Sequence, residues 1–265
     1  MTVAVAEFPY TALATEVVPQ CPLCGRETVS APDTDRYGFP VGRVDCVCGF
    51  GYLSPRMDGV GYAQFYDGHY RRLLAAHGFD RHTDQSRQAA QFNRGVTLGF
   101  QLRDHVSAPA TLLDVGGSTG AFVQGFTQLV PAGTVTVLDP CPQELDAAKR
   151  RGYTTVEGHI EDAPTIPPQS AILCVQTLDH VRQPLAVLRW LRAHLAPGGW
   201  AYLDVVDVQR AGQGMGAPYA RKIDHPLYWT ETAFQRALAQ TGWRVRKAWR
   251  QGPHHAHLGV WAQGA

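Results

Sequence analysis

Residues 111–124, TLLDVGGSTGAFVQ, decide the fold. The run 111–115 is apolar apart from one acid, Asp114, which is typical of a buried parallel strand. Three glycines form the turn that follows: Gly116, Gly117 and Gly120. A turn so poor in side chains lets a ligand approach the backbone, and helical spacing resumes at Ala121. The strand, glycine turn and helix start together predict a binding site for a polar ligand.

A second apolar run, GTVTVLDP at residues 133–140, ends on an acid about twenty residues after the glycine turn. At that spacing an acid on the neighbouring strand accepts hydrogen bonds from ribose hydroxyls. Taken alone, Asp139 would be a turn residue ahead of Pro140, but behind this glycine turn the ribose role is favoured. The dinucleotide fingerprint needs glycine where Val115 stands, which disfavours a nicotinamide-dependent oxidoreductase.

The D-x-G-x-x-x-G pattern of Asp114, Gly116 and Gly120 resembles the first motif of class I S-adenosylmethionine (SAM)-dependent methyltransferases. The stretch from His180 to the LAPGGW at 195–200 resembles the same class, so the resemblance spans residues 20–205. It implies an α/β fold, a Rossmann-like methyltransferase sheet with helices on both faces. It also implies SAM as the methyl donor.

The resemblance further implies which residues hold the methyl donor. Many members place an acid after a glycine to bind the adenine amino group, and His159 stands there in this sequence. His159, Ile160 and Glu161 are alternatively plain loop. The predicted cofactor-binding set is Asp114, Gly116, Gly117, Gly120, Asp139, Pro140, His159, Ile160, Gln176 and Tyr70.

Four cysteines lie ahead of this region in two hooks, CPLCG at 21–25 and CVCG at 46–49. The glycine after each hook lets backbone amides turn towards the thiolates of a tetrahedral zinc site. The predicted metal ligands are Cys21, Cys24, Cys46 and Cys48. Four thiolates leave no open position, so the zinc would be structural and would hold together a segment too short for its own core. A redox pair or four unrelated thiols are the alternatives.

Residues 52–105 predict two or three helices that bridge this lobe to the sheet. Their FYDGHYRR resembles the Y-x-x-x-Y stretch that follows the zinc hooks in a group of bacterial methyltransferases. In that group it lies over the cofactor pocket; for Tyr66 and Tyr70, an aromatic face packed between the domains is an equal alternative. The predicted units are a zinc-binding lobe at 1–58, a helical bridge or lid at 59–108 and a methyltransferase domain at 109–265.

Alternation of apolar and helical segments predicts a parallel sheet with covering helices. The predicted strands are 111–115, 134–138, 154–156, 171–175 and 200–206, with a helix at 183–196 and a closing antiparallel pair at 243–249 and 258–261. Segment 208–228 is predicted as an acceptor-side loop whose glycine-rich start could move over the acceptor. Thr230 is the predicted N-cap of the helix that follows.

Methylation of a hydroxyl or an activated carbon gains from a general base, and histidine suits that role at neutral pH. The catalytic candidates are His180, at the edge of the fourth strand, and His225, beside the glycine-rich loop. Each has a structural alternative, which for His180 is capping of the next helix. The three histidines at 254, 255 and 257 fit a solvated turn.

The 265 residues carry 24 basic and 23 acidic side chains, and this balance favours neither a nucleic-acid nor a membrane partner. No apolar run is long enough to span a bilayer, and the first residues lack the pattern of a secretory signal. Six unevenly clustered cysteines indicate a reducing compartment. We therefore expect a cytoplasmic protein; its oligomeric state is not predicted.

The predicted function is methylation of a small molecule, a nucleotide-linked sugar or another specialised metabolite. The sugar suggestion follows from the zinc-bearing group, which includes sugar methyltransferases. Two alternatives stay open. One is a ribosomal RNA base methyltransferase, whose expected basic surface the charge balance does not favour. The other is a non-catalytic module that binds a protein through the zinc lobe.

Overall fold

The computed structural model describes residues 8–77, 84–215, 221–252 and 255–264. Two sheets organise these parts of the chain. The strands are β1 (Ala31–Thr34), β2 (Pro40–Asp45), β3 (Gly51–Leu53), β4 (Ala110–Val115), β5 (Ala132–Asp139), β6 (Thr154–Glu157), β7 (Gln169–Cys174), β8 (Leu195–Val206), β9 (Leu227–Tyr228), β10 (Trp243–Gln251) and β11 (His257–Gly264).

Helices cover the main sheet and connect it to the N-terminal lobe. They are α1 (Tyr10–Leu13), α2 (Gly59–Gln64), α3 (Tyr70–Ala76), α4 (Asp84–Leu102), α5 (Ala121–Phe126), α6 (Pro142–Arg150), α7 (Pro184–Ala193), α8 (Val208–Met215) and α9 (Glu231–Gln240). A π-helical turn, Phe65–His69, joins α2 to α3, and a 3-10 turn, Ile160–Asp162, follows β6. Among the described helices, none combines the length and the apolar character needed to cross a membrane.

The main sheet has the strand order β10-β11-β8-β7-β4-β5-β6. Strands β4 to β8 pair in parallel, whereas β11 runs antiparallel to both β8 and β10. Every predicted strand, including the closing antiparallel pair, is present, so the predicted Rossmann-like α/β fold is confirmed. Strand order reverses between β4 and β7, and in such sheets the crevice at the carboxyl ends of these strands is where ligands bind.

The smaller sheet belongs to the N-terminal lobe but takes its fourth strand from much later in the chain. Its order is β1-β2-β3-β9, and all pairs are antiparallel. The carboxylate of Asp35 accepts the Ile223 N–H at 3.0 Å, and the Tyr62 hydroxyl donates to the Ile223 carbonyl at 3.2 Å. Leu53 N–H donates to the Pro226 carbonyl at 3.0 Å. The lobe therefore fixes segment 221–228 of the methyltransferase region.

The predicted loop 208–228 differs from the structure at its start, because α8 occupies its first eight residues. The Asp207 carboxylate accepts the N–H groups of Gln209 and Arg210 at 3.1 and 3.4 Å, and this capping offsets the poor helix propensity of the glycines. Residues 216–220 of the predicted loop lie outside the described residues. The predicted helix 183–196 is also shorter, since Leu195 already pairs with β7. Thr230 caps α9 as predicted, accepting the Ala233 N–H at 3.2 Å.

Candidate active site

A cavity of about 600 Å³ lies at the carboxyl ends of β4, β5 and β7, under the aromatic residues between α2 and α3. Nine of the ten residues predicted to hold the cofactor line it, and the exception is Gly120. The predicted catalytic residues His180 and His225 line it too. The structure therefore brings both predicted groups into one space.

The glycines of the turn are required for different reasons. Gly116 has φ +67°, and a side chain there would collide with the Thr177 hydroxyl. A Cβ on Gly117 would lie 2.6 Å from the Asp114 carboxyl carbon. Gly120 has φ +75° and packs against the Tyr153 ring, so it turns the chain into α5 without lining the cavity.

We expect Gly116→Ala to cost about 3 kcal/mol of folding free energy, from the left-handed backbone and the collision with Thr177 together. Gly152 is a matched control, because it has φ +83° and nothing within 4 Å of an added Cβ. Gly152→Ala should cost only about 1 kcal/mol, from the backbone alone. Urea unfolding measures the loss of stability in both variants. Equal losses would show that the Thr177 side chain moves aside without an energetic cost.

Asp114 is fully buried at the end of β4 and lines the cavity. Burial, and then the nearby charge of Asp139, raise its pKa to about 8 against a hydrogen bond from the Val123 N–H. Its Oδ2 has no hydrogen-bond partner among the described residues. A buried carboxyl oxygen without a partner is costly, and a ligand with an ammonium group would satisfy it.

Asp139 ends β5 on the opposite side of the glycine turn. Its Oδ2 accepts the Ser118 N–H and its Oδ1 the Cys141 N–H, both at 2.9 Å. Burial raises its pKa to about 6, although these backbone donors oppose the shift. Each oxygen retains a lone pair, so the carboxylate can still accept hydroxyl groups from the cavity.

A polar cluster above the glycine turn was not predicted from the sequence. Glu144, in the first turn of α6, accepts the Ser118 hydroxyl at 2.6 Å and pairs with Arg71 and Arg87 of α3 and α4. Burial acts to raise the pKa of Glu144, but the Ser118 hydrogen bond and the two arginines together hold it below its usual value. The cluster ties the helical bridge to the glycine turn. The one feature of the sequence that could have indicated this cluster is the acid in the first turn of the helix after Asp139.

In the connection after β6, some side chains line the cavity and others make local hydrogen bonds. Ile160 is buried in the cavity wall, and the His159 N–H donates to Asp162 Oδ2 at 3.1 Å at the start of the 3-10 turn. Glu161 Oε1 accepts the N–H groups of Arg182 and Gln183 at 2.9 and 2.8 Å. Glu161 therefore holds the two residues that precede α7, which begins at Pro184.

Gln176 follows β7 in a left-handed conformation, with φ +51°. Its N–H donates to Asp204 Oδ1 at 2.6 Å, and its side-chain oxygen accepts from Arg94 at 3.0 Å. Arg94 also pairs with the fully buried Asp204. This network across α4, β7 and β8 fixes the conformation of Gln176. No local pattern in the sequence predicts the network.

The two tyrosines of the bridge line the cavity and also belong to a packed aromatic face. Tyr66 and Tyr70 line the cavity, and their rings also pack against each other at 5.3 Å and against buried Phe65. The Tyr66 hydroxyl lies 2.9 Å from His180 Nδ1, which links the bridge to the catalytic candidates.

The rings of His180 and His225 meet edge to face, 4.2 Å apart. Burial lowers both pKa values; for His225 the charge of Lys222 lowers it further, while for His180 Asp224 opposes the shift. Both imidazoles are therefore neutral at pH 7 and carry a lone pair. Lys222, which the sequence analysis did not single out, has its Nζ 2.8 Å from His225 Nε2.

The solvated turn predicted for the terminal histidines is wrong for His257. Its side chain is half-buried and lines the cavity, because β11 begins there and pairs with β8. His255 is exposed, as predicted, and His254 lies outside the described residues.

The four predicted metal ligands converge. Their sulfur atoms lie within 4.8 Å of one another, with Cys21 and Cys48 at 3.7 Å and Cys24 and Cys46 at 3.5 Å. Zinc–sulfur bonds of about 2.3 Å in a tetrahedron place sulfur atoms ~3.8 Å apart, so the donor set fits zinc.

Backbone N–H groups of residues other than the two glycines face these sulfurs. The glycine N–H groups donate to carbonyls of the hooks, Gly25 to Cys21 and Gly49 to Cys46, each at 2.9 Å. The residues after the glycines donate to sulfur instead, and Arg26 N–H hydrogen-bonds the Cys24 thiol. The positive φ of each glycine, +72° and +85°, turns the next N–H towards the sulfur.

Residues 68–248, more than half of the chain, match the family described as methyltransferase domain. The chain belongs to this family. A curated relative, the ubiquinone biosynthesis O-methyltransferase of Xanthomonas campestris pv. campestris (strain B100), is 28% identical over 125 residues. That match covers 43% of this methyltransferase-family chain and 52% of the relative, so the chain spans about half the length of the curated relative.

Solved methyltransferases share the fold of this family member. Magnesium protoporphyrin IX methyltransferase from Synechocystis PCC 6803, with SAH bound, has a TM-score of 0.59 and 12% identity, covering 78% of this chain and 100% of that one. A SAM-bound amino pentose methyltransferase from Micromonospora echinaspora, involved in calicheamicin biosynthesis, has a TM-score of 0.52 and 17% identity, covering 68% and 94%. At these identities the likeness establishes the fold alone. The predicted class I methyltransferase is confirmed at the level of family and fold.

Proposed function

We propose that this protein is a SAM-dependent methyltransferase that acts on a small molecule. The observation that carries the proposal is the pairing, in one cavity, of a partnerless buried carboxyl oxygen on Asp114 with the Asp139 carboxylate across the glycine turn. An adenosyl sulfonium has both complementary groups, an ammonium and two ribose hydroxyls. When bound, SAM supplies an electrophilic methyl group.

The residues that would hold SAM follow from their chemistry. Asp114 binds the ammonium and Asp139 the ribose hydroxyls, while Gly116 and Gly117 allow close approach of the ligand to the backbone. Pro140, His159, Ile160, Gln176 and Tyr70 complete the proposed cofactor site. Gly120 contributes by setting the turn.

His180 and His225 are the proposed proton acceptors for the acceptor molecule. Both are neutral imidazoles in the same cavity, and each has one lone pair that can take up a proton as methylation proceeds. In His225 that lone pair accepts the hydrogen bond from Lys222, so this bond has to break before His225 acts as a base. His180 Nδ1 lies against the Tyr66 hydroxyl and His225 Nε2 against Lys222, so each ring is held in a defined orientation.

A nucleotide-linked sugar or another specialised metabolite is the proposed acceptor class. Support comes from the volume of the cavity, about 600 Å³, and from a structural neighbour that is an amino pentose methyltransferase. The curated relative is an O-methyltransferase, so methylation of oxygen fits as well. We place the protein in the cytoplasm, acting without a nucleic-acid or membrane partner.

The N-terminal cysteines are proposed to hold structural zinc through Cys21, Cys24, Cys46 and Cys48. We propose the units 1–58 for the zinc-binding lobe, 59–108 for the helical bridge and 109–265 for the methyltransferase domain. The shared sheet of β1, β2, β3 and β9 joins the first and last units.

Asp139→Asn tests the proposed cofactor site. The amide places an N–H₂ donor beside backbone N–H donors and ribose hydroxyls, so we expect SAH affinity to fall by about 30-fold. Isothermal titration calorimetry with SAH measures this fall. Asp146→Asn, an exposed change on α6, is the matched control and should bind as the wild type does. Unchanged affinity in Asp139→Asn would refute the ribose assignment.

A further inference from the structure

Gln176 lies beside the glycine turn, just after the end of β7. Val115, the last residue of β4, pairs with Cys174 of β7, and the Thr177 hydroxyl donates to the Val115 carbonyl at 2.9 Å. A side chain on Gly116 would collide with the same hydroxyl, so the two strand ends are in close contact. The Gln176 side chain is exposed and lines the cavity next to this turn.

The carboxamide of Gln176 has a defined orientation. Its oxygen accepts a hydrogen bond from Arg94 at 3.0 Å. A guanidinium carries donors only, so the oxygen and not the nitrogen of the carboxamide must face Arg94. The N–H₂ group is left without a hydrogen-bond partner among the residues that the structure describes. Its two donors can therefore bind a ligand in the cavity.

The backbone of Gln176 is held as firmly as its side chain. Its φ of +51° lies in the left-handed region, which costs energy for any residue other than glycine and occurs often at functional sites. The N–H of Gln176 donates to the fully buried Asp204 at 2.6 Å, and Asp204 also pairs with Arg94. Arg94 therefore fixes the side chain directly and the backbone through Asp204.

The order of the strands indicates which part of SAM reaches Gln176. Strands β5, β4 and β7 are neighbours, and Asp139, Asp114 and Gln176 lie at their respective carboxyl ends. With the ribose hydroxyls on Asp139 and the ammonium group on Asp114, the amino-acid part extends towards β7. Its carboxylate shares a carbon atom with the ammonium group and needs hydrogen-bond donors of its own. Asp204 does not repel it, because Arg94 balances that charge.

We propose that the N–H₂ group of Gln176 donates a hydrogen bond to the carboxylate of SAM, and that Arg94 is the positioning residue that orients this group. The inference rests on the proposed methyltransferase function. It assigns a partner to the third polar group of the amino-acid and ribose parts, after the ribose hydroxyls and the ammonium group.

The test compares SAH with decarboxylated SAH, which keeps the ammonium group and lacks the carboxylate, by isothermal titration calorimetry. Gln176→Glu replaces the N–H₂ group by a carboxylate oxygen of similar size, and its other oxygen still accepts from Arg94. We expect the affinity for SAH to fall at least ~30-fold, because the hydrogen bond is lost and two carboxylates then repel each other. The affinity for decarboxylated SAH should not fall.

Two further variants separate the donor from its orientation. Gln176→Met removes the donor without adding a charge and should lower the affinity for SAH about tenfold. Arg94→Lys keeps a charge beside Asp204 but loses the fork that also reaches Gln176, so the affinity for SAH alone should fall a few fold. Gln128→Glu, an exposed change after α5, is the matched control and should bind both ligands as the wild type does.

Two results would overturn the proposal: an unchanged affinity for SAH in Gln176→Glu, or equal losses for the two ligands in both Gln176 variants. A variant that binds decarboxylated SAH as the wild type does has kept its fold, so misfolding is not mistaken for a lost contact. Failure of the wild type to bind SAH would instead count against the proposed function. The two failures are therefore distinct.

Discussion

Cys46→Ser is expected to lower the free energy of unfolding by about 5 kcal/mol or more, because a structural zinc contributes most of the stability of a lobe this small. The lobe sheet holds segment 221–228 through β9 and through Asp35. Loss of the metal should therefore also release that segment. Thermal unfolding measures the first effect, with a fall of roughly 10 °C, and amide hydrogen exchange in 221–228 measures the second.

Val47→Ser is the matched control for this change. Val47 stands between the two cysteines of the second hook and is 82% exposed, so its substitution alters the hook without removing a ligand. SAH affinity should change only a few fold in Cys46→Ser, because the glycine turn lies in the other sheet. If metal content and melting were the same in both variants, the four-thiolate site would be wrong.

Asp114→Asn is expected to stabilise the ligand-free protein and to weaken SAH binding. Burial raises the pKa of Asp114 to about 8, whereas an unfolded aspartate titrates near ~3.9. Between these values the folded protein retains a proton that the unfolded chain releases, so stability falls as pH rises through this window. Asparagine does not ionise, so the stability of the variant should not fall in this way. Its free energy of unfolding relative to that of the wild type should therefore rise by at least about 2 kcal/mol between pH 5 and pH 8.

The same variant distinguishes a loss of ammonium binding by Asp114 from a general disruption of the cavity. SAH affinity should fall at least tenfold, whereas 5′-methylthioadenosine, which lacks the amino-acid part, should bind both proteins alike. Calorimetry in buffers of different ionisation enthalpy should show proton release when the wild type binds SAH at pH 7, and none in the variant. An equal loss of affinity for both ligands would contradict the proposal that Asp114 binds the ammonium group.

The local patterns of the sequence were enough to predict the glycine turn and the acid beside it. A strand, three glycines and an acid on the next strand are read within thirty residues, because parallel sheets bring the ends of adjacent strands together. The convergence of the cysteine hooks was equally predictable, since ligand spacing along the chain limits the possible metal geometry.

Residues that act through distant contacts were not predictable. Lys222 lines a cavity whose other walls come from distant parts of the chain, and Arg94 meets Asp204 across 110 positions of sequence. The glycines of α8 suggested a loop, but the Asp207 cap made a helix. His257 looked like part of a turn until pairing of β11 with β8 carried it into the cavity wall.

A crystal structure of the protein grown with saturating SAH tests the central claim most directly. We predict SAH in the cavity, with its ribose hydroxyls on Asp139 and its amino group on Asp114 Oδ2. A cavity that holds no SAH under these conditions, or SAH bound elsewhere on the protein, would contradict the proposed methyltransferase site.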